Sequence, residues 1–178
     1  MTDRPVAVTD RPVVVVGLMG AGKTTVATRV AAALGRPLRD SDEDLAQRHG
    51  RTAADYARQH GAGALHGWEA RHLRDALAQH PPAVIAAAAS VVEDPACRSA
   101  LAGAFVVWLD APAGVLAGRM AAGAHRPWYG PDPEAVLAGQ RARRARWFAE
   151  VADLTVDVAD TSPEQVTASV LAALAGGW

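Results

Sequence analysis

The chain has no asparagine and a single lysine, Lys23, among 178 residues. A sequence without asparagine cannot carry the Asn-Lys-x-Asp guanine-reading motif, which excludes the GTPases that depend on it. Cys97 is the only cysteine, so there is no disulfide framework and no cysteine metal site, and the thiol is expected to pack rather than react. Aromatic residues make up only 5% of the chain and the formal net charge is −1, a balance that argues against nucleic acid or an anionic membrane surface as the main partner. No apolar run is long enough to span a bilayer. Met1 to Pro12 carries Asp3, Arg4, Asp10 and Arg11 and lacks the apolar segment of a signal peptide. The expectation is a monomeric cytoplasmic protein, with a tail over 1–12 and one domain over 13–178.

Scarcity makes the position of the lone lysine informative. Lys23 stands in Gly17-Leu18-Met19-Gly20-Ala21-Gly22-Lys23-Thr24, a match to G-x-x-x-x-G-K-[ST]. In such a loop the glycines bring backbone N–H groups close to phosphate oxygens. The ammonium group reaches the β- and γ-phosphates, where a planar guanidinium is too bulky, and the threonine hydroxyl meets Mg²⁺. Gly20, Ala21, Gly22, Lys23, Thr24 and Thr25 are therefore expected to bind nucleotide, with ATP and Mg²⁺ as the cofactors. Arginine accounts for the rest of the 18 basic lysine and arginine side chains, so this position alone has resisted the substitution.

The surroundings fit that motif. Val13–Val16 is an unbroken β-branched run, as in a strand buried on both faces, and it leads directly into the glycine-rich turn. Val26, Ala27, Val30, Ala31 and Leu34 form a helical stripe stopped by Gly35. Further strands are predicted at 37–40, 83–86, 105–109 and 154–158. Helices are predicted at 42–49, 52–60, 64–79, 93–101, 112–121, 133–149 and 163–175, the last opened by Ser162-Pro163. Strands alternating with helices imply a doubly wound α/β domain around a parallel five-stranded sheet, like that of the P-loop nucleoside monophosphate kinases. The segment 122–132, rich in Gly and Pro and holding Arg126, reads either as an ordinary surface loop or as a lid that brings Arg126 to the phosphates.

The fragment from Gly17 to Thr25, with Asp40-Ser41-Asp42 behind a helix and a short strand, resembles the shikimate kinase family. The likeness runs from about Val13 to Leu174 and includes Leu109-Asp110, Arg126-Pro127, Arg144 followed by Phe148, and Thr161-Ser162-Pro163. It implies ATP- and Mg²⁺-dependent phosphorylation of shikimate to shikimate 3-phosphate in aromatic amino acid biosynthesis. It also implies substrate-binding helices over about 42–80, a catalytic Arg126 in the lid, Arg119 stacked on adenine with Pro163 beside it, and Arg144 in the acceptor pocket. Asp40, at the end of the second strand, is expected to join Thr24 at the metal. Asp42 is expected to accept or orient the hydroxyl proton alongside Lys23. As alternatives, Asp40 or Asp42 caps the next helix, Asp42 in particular if that helix begins near Glu43, and Arg119 lies on a solvated helix face.

The acceptor half departs from the family pattern. His66 stands where the family has a carboxylate-clamping arginine, in Leu65-His66-Gly67-Trp68-Glu69. Ala87-Ala88-Ala89 replaces three glycines against which the substrate ring lies. Histidine cannot make a two-pronged guanidinium contact, and alanine adds a Cβ and disfavours positive φ. The pocket around His66, Ala88 and Arg144 is thus expected to be smaller and less cationic. Another cyclic polyol, sugar acid or amino-alcohol then stands as an alternative acceptor. A nucleotide-binding paralogue without efficient kinase activity is the rival from a different class.

Overall fold

The structure is a computed structural model, and it describes residues 10–122 and 130–176. Five parallel strands lie in the order β2-β3-β1-β4-β5: β1 Val13–Val16, β2 Leu38–Asp40, β3 Val84–Ala86, β4 Phe105–Asp110 and β5 Leu154–Asp157. The helices are α1 Lys23–Leu34, α2 Ser41–His49, α3 Ala53–His60, α4 Ala62–Leu77, α5 Pro95–Leu101, α6 Ala113–Ala122, α7 Pro133–Val151 and α8 Pro163–Ala175. No helix among the described residues is long and apolar enough to cross a membrane.

The valine run becomes the central strand because every one of its side chains has somewhere apolar to go. Val13–Val16 are fully buried, with Val13 in register with Val84 on one side and Phe105 on the other. The strand has the expected bounds, and hydrogen bonds fasten the chain just ahead of it. Phe105 N donates to Pro12 O at 2.8 Å, and Arg11 donates to the carbonyls of Ala102, Gly103 and Ala104, so the tail anticipated over 1–12 is tied down from Arg11 onward.

Helix α1 buries Val26, Ala27, Val30 and Ala31 and ends at Gly35 in the left-handed conformation (φ 62°), where its N–H reaches Ala31 and Ala32. The expected helix over 93–101 begins two residues later, at Pro95. A 3-10 turn covers Ala89–Glu93, then Asp94 caps α5 through Ala96 N, with Pro95 in its first turn. Pro95 lacks an N–H and restricts the residue before it, which separates the two segments at Asp94. Helix α4 begins at Ala62, two residues ahead of the expected start, with Gly61 preceding it. Cys97 is buried and burial, reinforced by Asp94, pushes its thiol up to about 11, in keeping with a packing role.

Candidate active site

In an open parallel sheet, ligands meet the carboxyl ends of the strands near the point where strand order reverses. Here β1 ends in the middle of the sheet and hands over directly to the glycine-rich turn. Gly17 and Gly20 are required there for two reasons. Both have positive φ, 148° and 83°. A Cβ on Gly17 would also lie 2.5 Å from Leu109 O, and one on Gly20 2.8 Å from Leu116 O in α6, so neither site accepts a side chain. Gly22 (φ 89°) precedes α1 with no side-chain cap, leaving the first N–H groups of that helix directed at whatever enters the loop.

Lys23 is half-buried at the base of this loop and donates from Nζ to Leu18 O at 3.1 Å. Burial lowers its pKa, and Asp42, Asp40 and Glu69 act against that, while Arg144 adds to it. These charges reach one another from five separate elements, and each is there for a local reason. Thr24 and Lys23 open α1. Asp40 closes β2, with Oδ1 accepting from Asp42 N (2.9 Å) and Glu43 N (3.2 Å) and Oδ2 accepting from Thr24 Oγ1 (2.6 Å).

Asp40 is thus the N-cap of α2. This corrects the alternative that gave the cap to Asp42, since the helix starts one residue earlier, at Ser41, than the sequence indicated. Asp42 is left with a side chain uncommitted to capping. Protein packed around its exposed carboxylate raises its pKa by desolvation, Lys23 pulls it down, Asp40 pushes it up and His72 pulls it down.

Glu69 is a site residue that the sequence did not single out. It shares the buried stripe of α4 with His72, Leu73 and Ala76, a spacing that turns it inward. It is 7% exposed and accepts a hydrogen bond from Ser90 Oγ. Burial raises its carboxyl to about 7, Ser90 opposes, Asp42 adds to the rise, and Arg144 and Lys23 oppose. The signal available in the sequence was its position three and four residues before His72 and Leu73, which placed an acid on an apolar face. Behind it, His72 Nε2 lies 2.6 Å from Asp44 Oδ2, which also accepts from Arg39 Nε at 2.7 Å, and Trp68 stacks on the His72 ring at 5.1 Å.

Arg144 reaches the same cluster from α7. Leu137, Arg144 and Phe148 are the buried residues of that helix, and Phe148 stacks on Trp108 of β4 with centroids 5.5 Å apart. That packing carries Arg144 inward to 5% exposure. Its Nε donates to Glu93 Oε1 at 2.6 Å and its Nη1 to Gln140 Oε1 at 3.2 Å. Neither partner was visible in the sequence.

The remaining expected residues fall as follows. His66 is exposed on α4, one turn before Glu69, with no hydrogen bond or ion pair among the described residues. Ala87 is buried, and Ala88 and Ala89 are half-buried at the end of β3. The backbone strain expected of these alanines is not there: no described non-glycine residue has positive φ, and Ala88 sits at φ −63° and ψ 147°. What these alanines add at the end of β3 is therefore the bulk of a Cβ, without strain. Arg119, exposed on α6, is not simply solvated. Its Nη2 donates to Val158 O and to Ala159 O (3.3 Å), fastening α6 to the loop that leads to Pro163. Pro163 opens α8 behind Ser162, which forms a capping box with Gln165. Arg126 and most of the anticipated lid, 123–129, lie outside the described residues.

Thr24 Oγ1 and Asp40 Oδ2 supply two hard oxygen donors at one point beside the phosphate loop. That set suits Mg²⁺, which keeps waters and shares phosphate oxygens rather than needing a full protein cage. No group of three or more His, Cys, Asp or Glu residues among the described residues forms a separate metal site.

Known proteins resemble this chain in sequence and fold. A family model described as Shikimate kinase matches residues 19–175. A shikimate kinase of Frankia casuarinae is 37% identical over 96% of this chain and 75% of its own length. One from Streptomyces avermitilis is 35% identical over 91% of this chain and 94% of its own. The solved shikimate kinase from Acinetobacter baumannii, in complex with shikimate, superposes with a TM-score of 0.87 at 25% identity, covering 94% of each chain. With the phosphate loop, the sheet order and the charged cluster all in place, the chain belongs to the shikimate kinase family.

Proposed function

We propose that this protein transfers the γ-phosphoryl group of ATP to a hydroxyl of shikimate, giving shikimate 3-phosphate, as a cytoplasmic monomer in aromatic amino acid biosynthesis. The observation that carries the proposal is the convergence of Lys23, Asp40, Asp42, Glu69 and Arg144 within electrostatic reach of one another at the end of β1. Lys23 and the amides of Gly20, Ala21, Gly22, Thr24 and Thr25 bind and orient the β- and γ-phosphates. Thr24 and Asp40 hold Mg²⁺, which when bound offsets charge on the phosphate oxygens.

Asp42 receives the acceptor hydroxyl and takes its proton at the carboxylate. The raised pKa of Asp42 favours that step, because a more basic carboxylate holds a transferred proton better. Arg144 contacts the acceptor's carboxylate, with His66 and Ala88 at the border of the same space. Arg119 and Pro163 flank the adenine, and Arg126 covers the transferring group. Little covalent chemistry falls to the protein in phosphoryl transfer, so positioning and charge compensation account for most of the rate.

The test is acceptor-dependent release of ADP from wild type and Lys23→Ala. Wild type turns over shikimate, and the variant loses at least about 100-fold in kcat, since no other lysine exists to take over the phosphates. Undiminished turnover in the variant would remove this loop as the phosphate site. His66 in place of an arginine favours a second reading, a kinase for another polyol or amino-alcohol, and the same assay with a panel of such acceptors decides between the two.

A further inference from the structure

A guanidinium offers a carboxylate two edges with paired donors, Nε with Nη2 and Nη1 with Nη2. In Arg144 each edge is already half engaged inside the protein. Nε donates to Glu93 Oε1 at 2.6 Å, and Nη1 donates to Gln140 Oε1 at 3.2 Å from one turn back along α7. Nε has a single N–H, so an incoming carboxylate can take the Nε–Nη2 edge only after Glu93 has moved.

Glu93 is the partner able to move. Its side chain is 31% exposed against 7% for Arg144. It also has somewhere to stay, because the same Oε1 accepts from Nη2 of Arg143 at 3.0 Å, and Arg143 is 55% exposed. Glu93 closes the 3-10 turn that follows Ala88, so it is carried on the same short segment that borders the acceptor space. Burial pushes its carboxyl up, but Arg144 and Arg143 outweigh this and hold it below the ordinary glutamate value, so it is anionic at neutral pH.

We propose that Glu93 is a specificity-determining residue that competes with the acceptor's carboxylate for Arg144. The acceptor binds by displacing Glu93 from Nε, and Glu93 then remains with Arg143. Exchange of one carboxylate for another conserves the charge-assisted bond, whereas a neutral hydroxyl cannot replace it. The ion pair therefore lowers affinity for a hydroxy acid, while an acceptor without a carboxylate leaves the pair in place and gains nothing from Arg144. The inference rests on the reading of the acceptor as shikimate.

The experiment is calorimetric titration of shikimate, and of its methyl ester, into wild type, Glu93→Gln, Arg143→Ala and the double variant, with turnover measured in parallel. Glu93→Gln should bind shikimate about 10-fold more tightly. Its KM for shikimate should fall with much less change in kcat, and the ester should show no comparable gain. Arg143→Ala should weaken shikimate binding, because displaced Glu93 then has no second partner, and the double variant should recover it. Shikimate binding that is unchanged, weaker or absent in a folded Glu93→Gln protein overturns the competition, as does an equal gain for the ester. Should Glu93→Gln fail to fold, Glu93→Asp, which keeps the charge on a shorter arm, must show a smaller gain in the same titration or the inference falls. Tighter binding without turnover in any variant would refute the kinase reading and leave the competition standing. Turnover of shikimate by wild type with a KM indifferent to Glu93→Gln would do the reverse.

Discussion

Thr24 Oγ1 and Asp40 Oδ2 lie 2.6 Å apart, so the first turn of α1 is hydrogen-bonded to the last residue of an edge strand. The other oxygen of Asp40 caps α2. One carboxylate therefore has a structural task besides the place at the metal proposed for it, and the two can be separated by choice of substitution.

Asp40→Asn keeps a good capping side chain but loses the charge, whereas Asp40→Ala loses both. The asparagine variant should unfold within a few degrees of wild type and show a large loss of Mg²⁺-dependent turnover. The alanine variant should lose the same activity and, in addition, about 1 kcal/mol or more of stability. Thermal denaturation with an ADP-release assay on both proteins checks this. Equal melting temperatures for the two variants would refute the cap.

Glu69 makes stability depend on pH in a direction opposite to that of most acids. Burial raises its carboxyl from 4.5 to about 7 in the folded protein. Between those values the folded state holds a proton that the unfolded chain has released, so stability is fully present below about pH 4.5 and is lost as pH rises through 7. The scale is on the order of 3 kcal/mol. Asp42, also raised, acts in the same sense. Melting temperatures of wild type and Glu69→Gln from pH 5 to 8 should lie close together at the acid end, draw apart as pH rises toward 7 and stay apart above it, with the variant the more stable. Parallel curves would show that Glu69 is not desolvated.

The acceptor pocket can be probed at His66. A guanidinium there restores a charge-assisted contact that an exposed imidazole cannot make, so His66→Arg should lower the KM for shikimate about 10-fold or more and leave the KM for ATP unchanged. Because the alanines are unstrained, Ala87–Ala89→Gly should act by enlarging the pocket rather than by relaxing the backbone. A rise in the KM for shikimate on His66→Arg would place the acceptor elsewhere.

Arg126 is expected to act late, on the charge that develops during transfer. Arg126→Ala should lower kcat more than it raises the KM for ATP. Hydrogen exchange over residues 122–132 should slow when an ATP analogue and shikimate are both present. Identical exchange with and without these ligands would count against a lid.

The strand, glycine-rich turn and helix around Lys23 were legible in the sequence because they are local. Lys23, Thr24 and the glycines lie within eight residues, and the valine strand before them and the apolar stripe after them fix their setting. The charged cluster beside them is made by contacts distant in the chain. Arg144 meets Glu93 across 51 positions, and Ser90 meets Glu69 across 21, with nothing periodic to announce either pair. Asp40 and Asp42 differ by two residues, and only the true start of α2 at Ser41 decided which one caps. The 3-10 turn at Ala89–Glu93 has no hydrophobic period of its own, so no element was predicted over 89–92.

The missing side chain at Gly20 has a mechanical consequence. A Cβ there would press on Leu116 O, so the phosphate loop and α6 rest against each other with no intervening side chain. The loop is therefore a bearing surface for that helix. A displacement of the loop backbone of even a fraction of an ångström has no soft contact to absorb it before it reaches α6, so movement of the loop passes directly into the helix.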